Sequence, residues 1–239
     1  MVLFFDLDGT LLLGGQISAR CHEALEKAKE KGHLLVINTG RAPGFVPEKI
    51  YNDPLFDGHI CGSTHVDFRG KVLSSDPLDR ALLKTVYDFS MKNGLRVIYE
   101  GAKENFASCA PEMDLTDASA LFERETLPEV VKITFWCDPD KVPADGFEGL
   151  RIVHFQKYAE GIKKGYDKAS GMKLILKELG LSSEDAVAFG DSENDTDMLK
   201  FAGKGVAMNK APTVFDDFCI YRSKAEDGVP EALEALGLC

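Results

Sequence analysis

Two carboxylates lie two residues apart near the start of the chain. Asp6 and Asp8 belong to the segment DLDGT (6–10), which directly follows the apolar run 2–5. In an extended segment that alternates, both side chains point to the same side. Like charges this close need a cation or a bound ligand to offset their repulsion. The alternative is an acidic turn in which Gly9 supplies a positive φ.

A second acidic segment, GDSEND (190–195), follows the apolar run 186–189. Its acids include Asp191 and Asp195, with Asn194 between them. Carboxylate and amide oxygens are the ligands that hard cations such as Mg²⁺ prefer, so the segment is a candidate metal site. The alternative is a solvated loop that caps the next helix.

Two further polar positions could handle an anion. Thr39, Gly40 and Arg41 follow the apolar run 34–37, where a hydroxyl and free backbone N–H groups can form an anion cradle. An ordinary turn would show the same residues. Lys168 begins an amphipathic segment, where its charge opposes the helix dipole and so needs another reason to be there. Two nearby lysines, 163 and 164, compete for any such role.

The elements that must position these residues alternate along both ends of the chain. Apolar runs predict buried strands, and helical spacing predicts helices over 18–32 and 168–180; the predicted strands are 2–5, 34–37, 59–61, 186–189, 205–208 and 218–221. This alternation predicts an α/β fold with a doubly wound parallel sheet. Because the polar segments follow strands or begin helices at the carboxyl edge of that sheet, we expect them to meet there.

The middle of the chain has a different pattern. Strand candidates at 96–99, 106–109, 130–137 and 150–155 alternate polar with apolar residues, which is typical of antiparallel strands with one wetter face. We therefore predict an inserted α+β domain over 78–160, inside a core formed by 1–77 and 161–239.

Composition limits the classes of function. The 239 residues carry 28 basic and 39 acidic side chains, a formal net charge of −11. A general nucleic-acid or anionic-membrane binder would be repelled by such partners. No run approaches the ~20 apolar residues of a membrane span, and the six cysteines form no disulfide or zinc pattern. We expect a cytoplasmic globular protein.

Taken together, the four segments resemble those of the haloacid dehalogenase (HAD) superfamily, and within it the Cof-type (IIB) phosphatases. The matching pieces are the pattern D-x-D-G-T at 6–10, T-G-R at 39–41, Lys168 with its apolar spacing, and G-D-x-x-N-D at 190–195. Two later stretches, AMNKA (207–211) and EDGV (226–229), are similar to the C-terminal part of that family.

The resemblance implies a role for each position. Asp6 would take the phosphoryl group as an aspartyl phosphate, Asp8 would act as general acid and base, and Lys168 would steady the negative charge. Mg²⁺ would be held by Asp6, Asp191 and Asp8 (through its carbonyl oxygen), with Asp195 supporting the metal site. The phosphate would be bound by Thr39, Gly40, Arg41 and Asn194.

The resemblance also implies a Rossmann-like HAD core, an inserted cap that selects the substrate, and hydrolysis of small phosphate monoesters such as sugar phosphates. The partner would be a small phosphorylated metabolite, handled by a monomer or homodimer. A phosphomutase, or an inactive regulatory binding protein, is the alternative. Two departures stand out: Cys61-Gly62-Ser63 replaces the Asn-Gly-Ala of many relatives, and Ala169 replaces the usual glycine after the motif lysine.

Overall fold

The apolar runs form the strands of two sheets in the computed structural model, which describes residues 1–109 and 115–239. The strands are β1 (Val2–Phe5), β2 (Leu34–Thr39), β3 (Gly58–Cys61), β4 (His65–Phe68), β5 (Lys71–Ser75), β6 (Val97–Gly101), β7 (Phe106–Ser108), β8 (Thr116–Asp117), β9 (Val130–Phe135), β10 (Leu150–His154), β11 (Ala159–Lys163), β12 (Ala186–Gly190), β13 (Lys204–Ala207) and β14 (Tyr221–Arg222). The helices are α1 (Ala19–Glu30), α2 (Glu48–Tyr51), α3 (Arg80–Asn93), α4 (Ala120–Glu123), α5 (Lys168–Leu179), α6 (Thr196–Phe201) and α7 (Gly228–Ala235).

The first unit comprises residues 1–40, 52–73 and 167–239. Its sheet has the order β14-β13-β12-β1-β2-β3-β4-β5. The strands from β14 to β3 pair in parallel, whereas β4 runs antiparallel to β3. This is the predicted doubly wound parallel sheet, and the fold class is confirmed. The antiparallel hairpin at its edge was not predicted.

Both faces of the central strand are buried, which explains its unbroken apolar sequence. On one face, Val2 and Phe4 belong to a cluster with Met172 of α5. On the other, Phe5 stacks on Phe189 with ring centroids 4.6 Å apart. The packed centre of the sheet therefore fixes the positions of the residues that follow β1 and β12, Asp6 and Asp191 among them.

Helix α5 begins and ends at residues suited to those positions. The Asp167 side chain accepts a hydrogen bond from the Ser170 backbone N–H at 2.8 Å, and the Ser170 hydroxyl accepts one from the Asp167 N–H at 3.2 Å. Gly180 ends the helix with φ +67°, in the left-handed region that favours glycine. This capping fixes where Lys168, the first helical residue, emerges.

The second unit comprises residues 41–51 and 74–166. Its sheet has the order β10-β11-β9-β6-β7-β8. The four pairings from β10 to β7 are antiparallel, as the alternating sequence predicts, whereas β7 and β8 pair in parallel. One face packs on an apolar core that includes Val86 of α3, Phe135 and Phe147. The role of residues 78–160 as a substrate-selecting cap stays a prediction.

The predicted strand over 218–221 is wrong in extent. Only Tyr221–Arg222 pairs with β13. The backbone N–H groups of Phe218 and Cys219 instead donate to the carbonyl oxygen of Phe215, at 3.2 and 2.8 Å. These residues close a preceding 3-10 turn, so their backbone cannot extend.

Across the two described stretches, no helix combines the length and the apolar character needed to cross a bilayer.

Candidate active site

The acidic residues that follow β1 and β12 lie at one edge of the central sheet. The two strands pair in parallel with Phe5 opposite Phe189, and the Asp6 N–H donates to the Phe189 carbonyl oxygen at 2.9 Å. Carboxylate oxygens of Asp6, Asp191 and Asp195 all lie within 4.8 Å of one another. The structure thus brings together residues almost two hundred positions apart.

Lys168 is the cation at the centre of this group. Its Nζ donates to Asp6 Oδ1 and, at 2.5 Å, to Asp195 Oδ1. All three side chains are buried, so the contacts are charge-assisted hydrogen bonds in a region poor in water. The competing Lys163 belongs to the second unit, where it donates to the Asp76 side chain.

Asp195 holds the loop after β12 in shape. Its Oδ2 accepts the backbone N–H groups of Asp191 at 2.9 Å and Ser192 at 3.0 Å, while its Oδ1 faces Lys168. A Cβ at Gly190 would lie 2.6 Å from the Cβ of Asp195, so this approach requires glycine. Because both of its oxygens are occupied by the protein, Asp195 is built to position Asp191 and Lys168.

The carboxylates of Asp6, Asp191 and Asp195 carry more negative charge than Lys168 offsets. Burial raises the pKa of Asp6 to about 8, the neighbouring carboxylates of Asp195 and Asp191 add to this, and Lys168 opposes it. Burial also raises the pKa of Asp191, with Asp195 adding to the shift. For Lys168, burial lowers the pKa but the two carboxylates outweigh it, and the net shift is upward. Three carboxylates share one ammonium, and the oxygen donors are those that Mg²⁺ prefers, so the residues fit a divalent cation.

The turn after Asp6 is shaped around Asp191. Gly9 has φ +87°, and a Cβ there would lie 2.4 Å from Asp191 Oδ2. The Thr10 hydroxyl donates to Asp191 Oδ1 at 3.4 Å. In the same turn Asp8 is exposed, whereas Asp6 is buried. The two acids of this turn therefore have contrasting environments: one is dry and beside Lys168, the other is in contact with water.

Three of the predicted anion-binding residues, Thr39, Gly40 and Asn194, lie at neighbouring positions. Thr39 is buried at the end of β2. The Asn194 Nδ2 lies 3.8 Å from where a Cβ on Gly40 would be, which places this exposed side chain beside the Thr39–Gly40 turn. Arg41 belongs to the second unit, where its Nη1 donates to the Phe45 carbonyl oxygen at 3.0 Å.

Asn38 immediately precedes the Thr39–Arg41 segment, and the sequence assigned it no role of its own. It is fully buried, and its Nδ2 donates to the Lys168 carbonyl oxygen at 2.8 Å. This hydrogen bond ties the start of α5 to β2 and so fixes the lysine from its backbone side. The available signal was an amide in an otherwise apolar strand, immediately before Thr39.

Cys61 and Ser63, the departures from the usual Asn-Gly-Ala, are both buried. Burial, with Asp67 adding to it, raises the pKa of Cys61 well above the ordinary thiol value. Ser63 has φ +65°. At neutral pH Cys61 is therefore an uncharged, buried thiol at the end of β3.

Comparison with known proteins places this site in a family. The model of the haloacid dehalogenase-like hydrolases matches residues 3–133 and 148–233, which include the Asp6, Lys168 and Asp191 segments. The chain belongs to this family. It is a HAD-superfamily phosphatase of the Cof type, that is, a phosphoric monoester hydrolase.

Three relatives span nearly the whole chain. The chain is 28% identical over 231 residues to the 5-amino-6-(5-phospho-D-ribitylamino)uracil phosphatase YitU of Bacillus subtilis, covering 87% of this chain and 86% of that protein. It is also 28% identical over 241 residues to a phosphoglycolate phosphatase of Nitrosopumilus maritimus, covering 97% and 94%. The solved structure of the HAD subclass IIB sugar phosphatase BT4131 aligns with a TM-score of 0.83 and 25% identity, over 100% of this chain and 99% of that one.

Proposed function

We propose that this HAD phosphatase hydrolyses small phosphate monoesters, with sugar phosphates as the main class, in a Mg²⁺-dependent reaction through an aspartyl phosphate on Asp6. The observation that carries the proposal is the buried contact of Lys168 with Asp6 and Asp195, beside Asp191. Lysine favours the ionised carboxylate that a nucleophile requires.

In the first half-reaction, an oxygen of Asp6 attacks phosphorus while the bond from phosphorus to the ester oxygen breaks. Asp8 gives its proton to the leaving oxygen. Asp8 then takes a proton from a water molecule, whose oxygen attacks the phosphorus of the aspartyl phosphate; inorganic phosphate leaves and Asp6 is regenerated. The exposed position of Asp8 supports this role, because its proton must exchange with substrate and water.

Mg²⁺ would be held by Asp6, the carbonyl oxygen of Asp8 and Asp191. Asp195 would support the site by orienting Asp191 rather than by direct ligation, because its two oxygens already accept hydrogen bonds. When bound, the cation supplies the positive charge that allows an anionic phosphate to approach an anionic Asp6.

Thr39, Gly40, Arg41 and Asn194 would bind the phosphate through the hydroxyl, backbone N–H groups, guanidinium and amide that they offer. The inserted domain predicted over 78–160 would select the leaving group. The formal charge of −11 argues against a nucleic acid as the partner, and the family implies a small phosphorylated molecule instead. A cytoplasmic location and a monomeric or homodimeric state belong to the same proposal.

A panel of phosphate esters assayed for release of inorganic phosphate tests the proposal. The panel should contain sugar phosphates, phosphoglycolate and a ribityl phosphate, each with Mg²⁺ and with EDTA. We expect Mg²⁺-dependent release, loss of at least about 10³-fold in Asp6→Asn, and near-normal activity in Asp197→Asn, whose carboxylate is exposed on α6. Isomerised substrate without phosphate release would instead identify a phosphomutase. Absence of both products with every ester would favour a binding protein.

A further inference from the structure

Arg222 of β14 is bonded to four backbone carbonyl groups at once. Its two terminal nitrogens donate, over 2.9 to 3.4 Å, to the carbonyl oxygens of Met208, Asn209, Ala211 and Pro212. Its Nε donates to the Asp216 carboxylate at 2.6 Å, and only 24% of the arginine side chain is exposed. The four carbonyl groups belong to residues 208–212, which directly follow β13 and which we call the post-β13 loop.

This set of acceptors suits a guanidinium. Arginine carries five N–H donors in a rigid plane, whereas lysine has three donors on a single atom. Hydrogen bonds from an ionised donor are about twice as strong as those between neutral groups. Arg222 therefore acts as a built-in cation around which the carbonyl groups of the post-β13 loop are arranged.

The first residue of the post-β13 loop is also bonded to β12. The Met208 N–H donates to the Gly190 carbonyl oxygen at 2.9 Å, next to the register pair of Gly190 with Ala207. The Met208 carbonyl oxygen accepts from Arg222 at 3.0 Å, and the residue is only 2% exposed. Met208 thus connects Arg222 to the end of β12.

The peptide group between Gly190 and Asp191 is held at both of its polar atoms. Its carbonyl oxygen accepts the Met208 N–H, and its N–H donates to Asp195 Oδ2 at 2.9 Å. Because a peptide group is planar, fixing these two atoms fixes its plane and so the direction in which the Asp191 backbone starts. A line of contacts therefore runs from Arg222 through Met208 to Asp191.

We propose that Arg222 is a positioning residue for the metal site. It holds the post-β13 loop so that Met208 keeps the Gly190–Asp191 peptide, and with it the Asp191 carboxylate, in the orientation that binds Mg²⁺. This role rests on the proposed function, in which Asp191 is a metal ligand. Arg222 itself lies in none of the segments that carry the family resemblance.

The Mg²⁺ requirement of Arg222→Ala tests this role. The Mg²⁺ concentration for half-maximal phosphate release should rise about tenfold, the lower end of what residues that support metal ligands contribute. At saturating Mg²⁺ the KM for the ester should stay within about twofold, because the lost contacts act on the metal ligand. A purely structural role would lower the urea midpoint and leave the Mg²⁺ requirement of the folded molecules unchanged.

Lys210→Ala is the matched control in the same loop. Lys210 pairs with Glu226, and the two side chains are 75% and 69% exposed, so this substitution should not change the Mg²⁺ requirement. An equal increase in Lys210→Ala, or no increase in Arg222→Ala, would overturn the inference.

Free guanidinium can replace the missing group. Millimolar guanidinium chloride should lower the Mg²⁺ requirement of Arg222→Ala toward the wild-type value, because the ion offers the same N–H donors. Tetramethylammonium chloride at the same concentration has no N–H donor and should leave the requirement unchanged. Equal effects of the two salts, or no effect of guanidinium, would contradict the role of the donors.

Hydrogen exchange follows the same contacts without metal or substrate. In EDTA, the amide protons of Met208 and Asp191 should exchange about tenfold faster in Arg222→Ala than in the wild type, while those of β1 keep their rates. This result in a protein that releases no phosphate from any ester would support the contacts and contradict the proposed function. Phosphate release with both exchange and Mg²⁺ requirement unchanged in Arg222→Ala would overturn the inference and leave the function standing.

Discussion

Replacing Gly9 by alanine should disturb the position of Asp191 far more than the fold. The added Cβ would lie 2.4 Å from Asp191 Oδ2 and 2.7 Å from its Cγ. Ordinary van der Waals contact would need about 1 Å more. Backbone and carboxylate must therefore separate by roughly that distance, and a misplacement of about 1 Å at a reacting centre can cost around 10²-fold in rate.

The backbone contribution can be measured separately. Gly9 has φ +87° and Gly15 has φ +82°, so alanine at either position should lose about 1–2 kcal/mol of unfolding free energy to left-handed strain. A Cβ on Gly15 would meet no described atom within 4 Å. Gly15→Ala is therefore a control with the same strain and no contact with the site.

The assay is phosphate release over a range of Mg²⁺ concentrations, together with urea denaturation of each variant. We expect Gly9→Ala to lose about 10²-fold in kcat/KM and to need more Mg²⁺ for half-maximal rate, while Gly15→Ala keeps both within about threefold. If the two variants lost stability equally and both kept full activity, the inferred dependence of the reaction on the Asp191 position would be refuted.

The remaining predictions concern the charges, the metal and the buried thiols. Asp195→Asn should lower the unfolding free energy by about 1–3 kcal/mol, since Lys168 loses one charged partner but keeps Asp6; no loss in urea denaturation would contradict the pairing. EDTA should abolish activity and Mg²⁺ should restore it. Mg²⁺ at a hundred times its Kd should also raise the unfolding free energy by about 2.7 kcal/mol; a melting temperature that does not change with Mg²⁺ would contradict the proposed metal site. Burial raises the pKa of Cys21 to about 12 and that of Cys61 well above its ordinary value, so at pH 8 both are neutral and should resist a thiol reagent until urea is added; rapid labelling of either in the native protein would contradict their burial.

The positions of the acidic residues could be predicted because each depends only on the strand that precedes it. Each acidic segment follows a buried strand, and parallel strands end at a common edge, so Asp6 and Asp191 had to be neighbours once the sheet order was right. Residue spacing by itself left three lysines open and the family resemblance selected Lys168, because the choice depends on where α5 begins relative to β1. The capping of α5 by Asp167 and Ser170 decides it in favour of Lys168.

Other features depend on contacts between elements distant in sequence. The Asn38 amide finds the Lys168 carbonyl oxygen only after α5 has packed on the sheet. Asp195 was expected as an aid to metal binding, but its hydrogen bonds to two backbone N–H groups require the fold of the loop after β12. Likewise, the strand predicted at 218–221 begins later than expected because the 3-10 turn around Phe215 takes the backbone N–H groups of Phe218 and Cys219, while Tyr221 does pair with β13. The spacing of apolar residues predicts which side chains are buried, but it does not predict the hydrogen-bond partners of the polar groups.

The central claim is that Asp6 itself carries the phosphoryl group during turnover. The most direct test is to mix the enzyme with a ³²P-labelled sugar phosphate and Mg²⁺, quench with acid within the first turnover, and locate the label by peptide mapping. We predict label on the peptide that contains Asp6, more of it in Asp8→Asn because hydrolysis of the intermediate is slowed, and none in Asp6→Asn. Phosphate release by the wild type with no labelled protein at any quench time, in Asp8→Asn as well, would contradict the account.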